Sequence, residues 1–111
     1  MRYMLMICLE DFSEQSVDPA LVAASIAWVA EMDARGVRLA GSRLRPASDA
    51  ITVARRDDEV LIAAGPFAET KEQIGGYDLI ECADLDEAIA IAAAHPVARI
   101  GRIEVRPLWA M

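Results

Sequence analysis

The sequence predicts an α+β sandwich of the ferredoxin-like kind, with both helices on one face of an antiparallel sheet. Three observations predict it. Strand-like and helix-like stretches follow in the order strand, helix, two to three strands, helix, strand. The first stretch, Arg2 to Leu9, is apolar at alternate positions of both faces, as a central strand is. Both helical stretches open on an aspartate placed to cap free backbone N–H groups.

Length and composition set the frame for this reading. A chain of 111 residues, 55% of them hydrophobic, has room for one domain spanning residues 1–111 with a modest core. The formal charge of −7 opposes nucleic-acid binding, which draws its affinity from clustered Lys and Arg, and opposes anionic membranes for the same reason. The apolar start, Met1 to Leu9, lacks the basic region and cleavage site of a signal peptide, and no stretch reaches the ~20 apolar residues of a membrane span. A cytoplasmic protein is therefore expected. Cys8 and Cys82 fall in predicted strands without metal-ligand spacing and read as reduced thiols, so neither metal nor cofactor is expected.

In the first strand Tyr3, Leu5, Ile7 and Leu9 share one face, and Met4, Met6 and Cys8 the other. The polar run Glu10 to Ser16 is a loop. Asp18-Pro19 then opens a helix to about Arg35, with Asp as N-cap and Pro at the first helical position. Its apolar stripe is Leu21, Val22, Ser25, Ile26, Trp28, Val29 and Met32, and Gly36 supplies the left-handed stop. Val37 to Leu44 is a short strand and Pro46 to Asp49 a turn. Ile51 to Arg55 and Val60 to Ala64 form a hairpin through a charged, solvated turn in which Asp58 takes the positive φ.

After Gly65-Pro66, Thr70 to Gln73 reads as a single capped helical turn, and Gly75-Gly76 leads into a strand from Tyr77 to Cys82. Asp84 and Glu87 have capping-box spacing and open a second helix to about Ala94, with Leu85, Ala88, Ile89 and Ala92 inward. His95-Pro96 ends it. The last strand, Ile100 to Leu108, alternates, with Ile103 and Val105 on one face and Arg102, Glu104 and Arg106 on the other.

Gly65-Pro-Phe-Ala-Glu-Thr-Lys-Glu-Gln-Ile-Gly-Gly-Tyr77, Leu79-Ile80-Glu81 and Asp84-Leu-Asp-Glu-Ala88 closely resemble the YCII-related domain family, in the branch named after an Asp-Gly-Pro-Phe motif. The likeness extends to Arg2-Tyr-Met-Leu-Met6 and Ile103-Glu-Val-Arg-Pro107. Ala64 stands where the motif has Asp, so whatever that carboxylate does elsewhere, this chain does without it. The resemblance implies the ferredoxin-like fold, pairing into a dimeric α/β barrel, and an association with sigma-factor systems. Some members of that family pair an aspartate with a first-helix histidine. The nearest match to that histidine is Ser25, which is not the same base.

Two helices cover one sheet face only, yet the first strand is apolar on both. A homodimer through the uncovered face is the simplest remedy, and it would enclose a pocket between sheet and partner for a small polar or anionic organic molecule. Tyr77 and Glu81 share one strand face, and Arg102, Glu104 and Arg106 another. If the two faces coincide, Arg106 clamps a carboxylate while Glu81 or Glu104 moves a proton. The alternative is structural ion pairing among them. His95, the only histidine, is a further acid/base candidate, with a cationic ring at a helix C-terminus as the structural alternative. Asp11 could reach a pocket mouth or simply solvate its loop. Trp28 and Trp109 read as core or interface anchors. Ligand binding thus rests on Arg106, Tyr77 and Asp11. A regulatory or interaction module without chemistry is the competing reading, and a cofactor-free monooxygenase has fold analogy alone.

Overall fold

A computed structural model describes residues 1–10, 18–68 and 70–110. Eight elements follow in order: β1 (Arg2–Leu9), α1 (Pro19–Ala34), β2 (Arg38–Arg43), β3 (Ile51–Arg56), β4 (Glu59–Ala64), β5 (Gln73–Glu81), α2 (Leu85–Ala93) and β6 (Arg102–Pro107). The main sheet is antiparallel in the order β2-β5-β1-β6, and β3 and β4 form a separate two-stranded hairpin. With that hairpin set aside, the order and the two helices are those of the expected ferredoxin-like α+β sandwich.

β1 is central because both its neighbours complete its ladder. Tyr3 lies opposite Ile80 and Pro107, and Leu5 opposite Asp78 and Val105. Tyr3, Leu5, Ile7 and Leu9 are buried under the helices with Trp28, Met32, Ile80, Ile91 and Val97. The core therefore sits between the sheet and the helix layer. The other face carries Met4, Met6, Tyr77 and Leu79, only half buried.

Asp18 caps α1 by accepting from Ala20 N, and Gly36 turns the chain out of the helix at φ 71°. Of the expected α1 stripe, Trp28 and Met32 reach the core, while Val22 and Ile26 remain exposed. Asp84 caps α2 by accepting from Glu87 N, while Glu87 reaches back one residue beyond the cap to accept from Ala83 N. Its inward face is Ala88, Ile91 and Ala92; Leu85 and Ile89, expected inward, are exposed. Trp28 Nε1 donates to Ile91 O at 3.1 Å across the helix pair. Trp109, by contrast, is exposed.

Thr70 to Gln73 is a bend rather than a helical turn, held by Thr70 Oγ1 donating to Glu72 O and Gln73 Nε2 to Thr70 O. Strand β5 begins at Gln73 and runs through Gly75-Gly76. Ile7 pairs with Gly76 and Cys8 with Ile74, leaving Gly75 as the extra residue of a bulge. A Cβ on Gly76 would lie 3.2 Å from Ser42 O, so the glycine permits close approach of β2. In the hairpin turn both Asp57 and Asp58 have positive φ, not Asp58 alone, because a two-residue turn matching strand twist requires it at both positions.

Candidate functional site

The residues anticipated from the last strand and from β5 do share a face. Met6 lies between Tyr77 and Glu104, and Met4 between Leu79 and Arg106. On this open face the charges pair with each other: Arg106 Nη2 with Glu104, and Arg2 Nε with Glu81 at 3.4 Å. All four of these side chains are at least half exposed, so the pairs are weak and solvent-screened. Asp11 lies outside the described residues. No group of three His, Cys, Asp or Glu able to hold a metal occurs among the described residues.

A cavity lies on the opposite side of the sheet, under α1. It measures about 310 Å³ and is bounded by Leu21, Ser25 and Val29 of α1 above, Ile7 and Leu9 of β1 behind, and Arg38, Gly76 and Asp78 below, with His95 and Val97 at one end. Local sequence explains the gap. Gly75 and Gly76 of β5 line it, and Gly76 faces the helix layer, so no side chain rises from that part of the floor. On the helix, Leu21, Ser25 and Val29 recur every four residues and share a face, and the middle one is small.

Arg38 Nε donates to Asp78 Oδ1 at 2.7 Å, and its Nη1 to Asp33 Oδ1 at 3.4 Å. The Arg38 and Asp78 side chains are 16% and 8% exposed, so this ion pair is largely buried. Burial pushes the Asp78 carboxyl above its ordinary pKa, and the Arg38 guanidinium only partly offsets that. The hydrogen bond to Asp78 raises Arg38 in turn. A buried carboxyl made more basic by desolvation is suited to accept a proton or to bind a hydroxyl.

His95 departs from the expected role. Burial lowers its pKa to about 4, so the ring is neutral and not a cation serving the α2 dipole. Its Nδ1 accepts from Val97 N at 3.1 Å, which leaves the ring proton on Nε2. The ring packs edge-on against Trp28 with centroids 4.7 Å apart. The last carbonyls of α2 are met instead by the N–H groups of Ala94 and His95. Cys8 and Cys82 are free thiols, and burial raises both.

Sequence reasoning passed over Arg38, Asp78 and Gly41. A signal was present: Asp78 sits two residues before Ile80 in an alternating strand, on the inward side where an acid requires a partner.

The comparison with protein families matches the YCII-related domain over residues 1–111. The chain belongs to the YCII-related domain family. A curated relative, an uncharacterised protein of Rhizobium meliloti (strain 1021), is 46% identical over 71 residues. The aligned stretch covers 60% of this chain and 56% of that relative. In this YCII-related domain Ser25 lines the same cleft as the buried carboxylate Asp78. No helix of the described residues is long and apolar enough to cross a membrane.

Proposed function

We propose that this YCII-related domain binds a small organic molecule in the cleft beneath α1, its apolar body against Leu21, Val29 and Leu9 and its polar or anionic group toward Arg38 and Asp78. The observation that carries this reading is a glycine-floored cavity of about 310 Å³ with a buried ion pair at its base. Mostly apolar walls with a few convergent polar groups are the usual composition of a ligand site. Any chemistry there is proton transfer by Asp78, whose raised pKa strengthens it as a base, with Ser25 orienting the guest.

The reading includes a branch and an assembly. Gly65-Pro66-Phe67 favours the Asp-Gly-Pro-Phe branch, with Ala64 as its departure, and the apolar open face favours a cytoplasmic homodimer closing an α/β barrel. In that assembly Tyr77, Glu81, Glu104 and Arg106 border the space between the two sheets and form a second, more polar site.

Ligand-detected NMR with a panel of small aromatic and branched alcohols, amides and carboxylates tests the cleft. Compounds that bind the wild type should lose binding in Ser25→Trp, which fills the cleft, and keep it in Arg106→Ala. Binding lost only in Arg106→Ala moves the site to the open face, and no binding by any compound removes the ligand-site reading.

A second reading, an interaction module for sigma-factor systems without chemistry, is favoured by the exposed apolar hairpin. It requires a domain that binds no member of the panel.

A further inference from the structure

Two buried polar side chains border the cleft beneath α1, and the fold satisfies only half of each. Asp78, 5% exposed, accepts from Arg38 Nε through Oδ1 at 2.7 Å, and no described residue donates to its Oδ2. His95, 6% exposed, accepts from Val97 N through Nδ1 at 3.1 Å, which puts the ring proton on Nε2, and no described residue accepts from that N–H. Among the described residues no side-chain nitrogen or oxygen cut off from solvent lacks a partner, so neither Oδ2 nor Nε2 is sealed inside the core. The space that both side chains border is the cleft. Its largely apolar walls thus carry an acceptor on the floor and a donor at one end.

Both groups are held in place before any guest arrives. The Val97 N–H and the edge-on Trp28 ring, its centroid 4.7 Å away, fix the plane of His95, and Arg38 fixes the Asp78 carboxylate. Resting on the ligand-site reading above, we propose that the cleft selects an uncharged hydroxy-carbonyl compound, its carbonyl oxygen accepting from His95 Nε2–H and its hydroxyl donating to Asp78 Oδ2.

Charge, chemistry and size favour this class. Arg38 already serves Asp78 and, through Nη1, Asp33 at 3.4 Å. Counting Arg43, which also lines the cleft, two carboxylates against two guanidiniums leave no surplus positive charge. Burial keeps the His95 ring neutral. An anion would therefore enter a mostly apolar space without a counter-ion, which is costly. A carbonyl oxygen has no proton to offer Asp78, whereas a hydroxyl has, so the two ends of the guest are not interchangeable. The volume, about 310 Å³, lies at the lower end of the ~300–1,000 Å³ of small-molecule pockets and suits a single ring or a short chain.

The probes are para-hydroxyphenyl methyl ketones with zero, one or two methylenes between ring and carbonyl. Each is compared with three analogues: the carbonyl reduced to methylene, the hydroxyl methylated, and the acetyl group replaced by carboxylate. In NMR titrations of the full-length wild type, the best ketone should bind about 10-fold tighter than each of its analogues. His95→Asn keeps an acceptor for Val97 N but has no Nε2. It should bind the ketone and its methylene analogue equally while still preferring the free hydroxyl to the methyl ether. Arg38→Met with Asp78→Leu should do the reverse. Ketone, methylene and ether analogues bound within about threefold of one another by the wild type overturn the inference, as does a tighter carboxylate. A ketone preference unchanged in folded His95→Asn overturns it too. In those cases, binding that is lost in Ser25→Trp still keeps the cleft as the site. No binding by any probe, nor by the wider panel, removes the ligand-site reading itself.

Discussion

Arg38 reaches across the β2–β5 ladder to Asp78 with a 2.7 Å hydrogen bond from Nε to Oδ1, inside the layer that otherwise holds only the apolar core and His95. Neither charge is cheap to bury, and each is tolerated because the other is there. Removing one partner is therefore costlier than removing both. Arg38→Ala or Asp78→Ala alone should each lower the unfolding free energy by about 3 kcal/mol, whereas Arg38→Met with Asp78→Leu should stay within about 1 kcal/mol of wild type. Urea denaturation of the four proteins checks this, and additive single effects would deny the coupling.

Gly41 makes that pair possible. A Cβ built there would stand 2.7 Å from the backbone oxygen of Tyr77 and 2.6 Å from Arg38 Nη2, and would press on Asp78 as well. The Tyr77 oxygen belongs to the sheet and cannot move aside as a flexible side chain would. Gly41→Ala should cost about 1–3 kcal/mol through overpacking and should shift the Arg38 side-chain resonances by NMR. An unperturbed variant would mean that β2 shifts freely at its bulge.

The buried imidazole of His95 sets a pH dependence. Its pKa is about 4 in the folded chain and ~6.5 when unfolded, so below pH 6.5 the unfolded chain binds the extra proton. Stability from this residue is complete above pH 6.5, is lost as pH falls toward 4, and changes no further below that. His95→Asn keeps an acceptor for Val97 N but does not titrate. Between pH 7 and 4.5 the wild type should lose about 2.5 kcal/mol more than His95→Asn by urea denaturation. Equal losses would show that the ring takes up its proton in the folded state.

The hairpin turn is strained by choice of residue. Asp57 and Asp58 adopt φ of 50° and 65°, where Asn and Gly are more at ease. Asp57→Asn with Asp58→Gly should stabilise the arm by about 1 kcal/mol, seen as several-fold slower amide exchange across residues 51–64. Because the arm makes no extensive contact with the body, the main urea transition should stay in place.

Local chemistry was enough to read most elements. Asp18-Pro19, Gly36 and the Asp84/Glu87 pair bound the helices through hydrogen bonds made within a few residues. A nearly continuous apolar run marked β1, alternation marked β6, and the hairpin was legible from its charged turn. Thr70 to Gln73 misled because its short-range bonding resembles a cap, while pairing with β1 and β2 claims the following residues for a strand. The α2 stripe misled because Leu85 and Ile89 fit the helical period as well as Ile91 does, and only the rotation of the packed helix about its axis separates them.

By itself, then, the sequence determined the α+β class, the order of elements and a sheet apolar on both faces, since these follow from periodicity and from caps that act over one turn. Only the tertiary structure decided that Arg38 meets Asp78 forty residues away, that the glycines of β5 leave a cleft beneath α1, and that His95 is neutral. Those outcomes depend on register and burial, which arise when distant segments exclude water together and which no local pattern encodes.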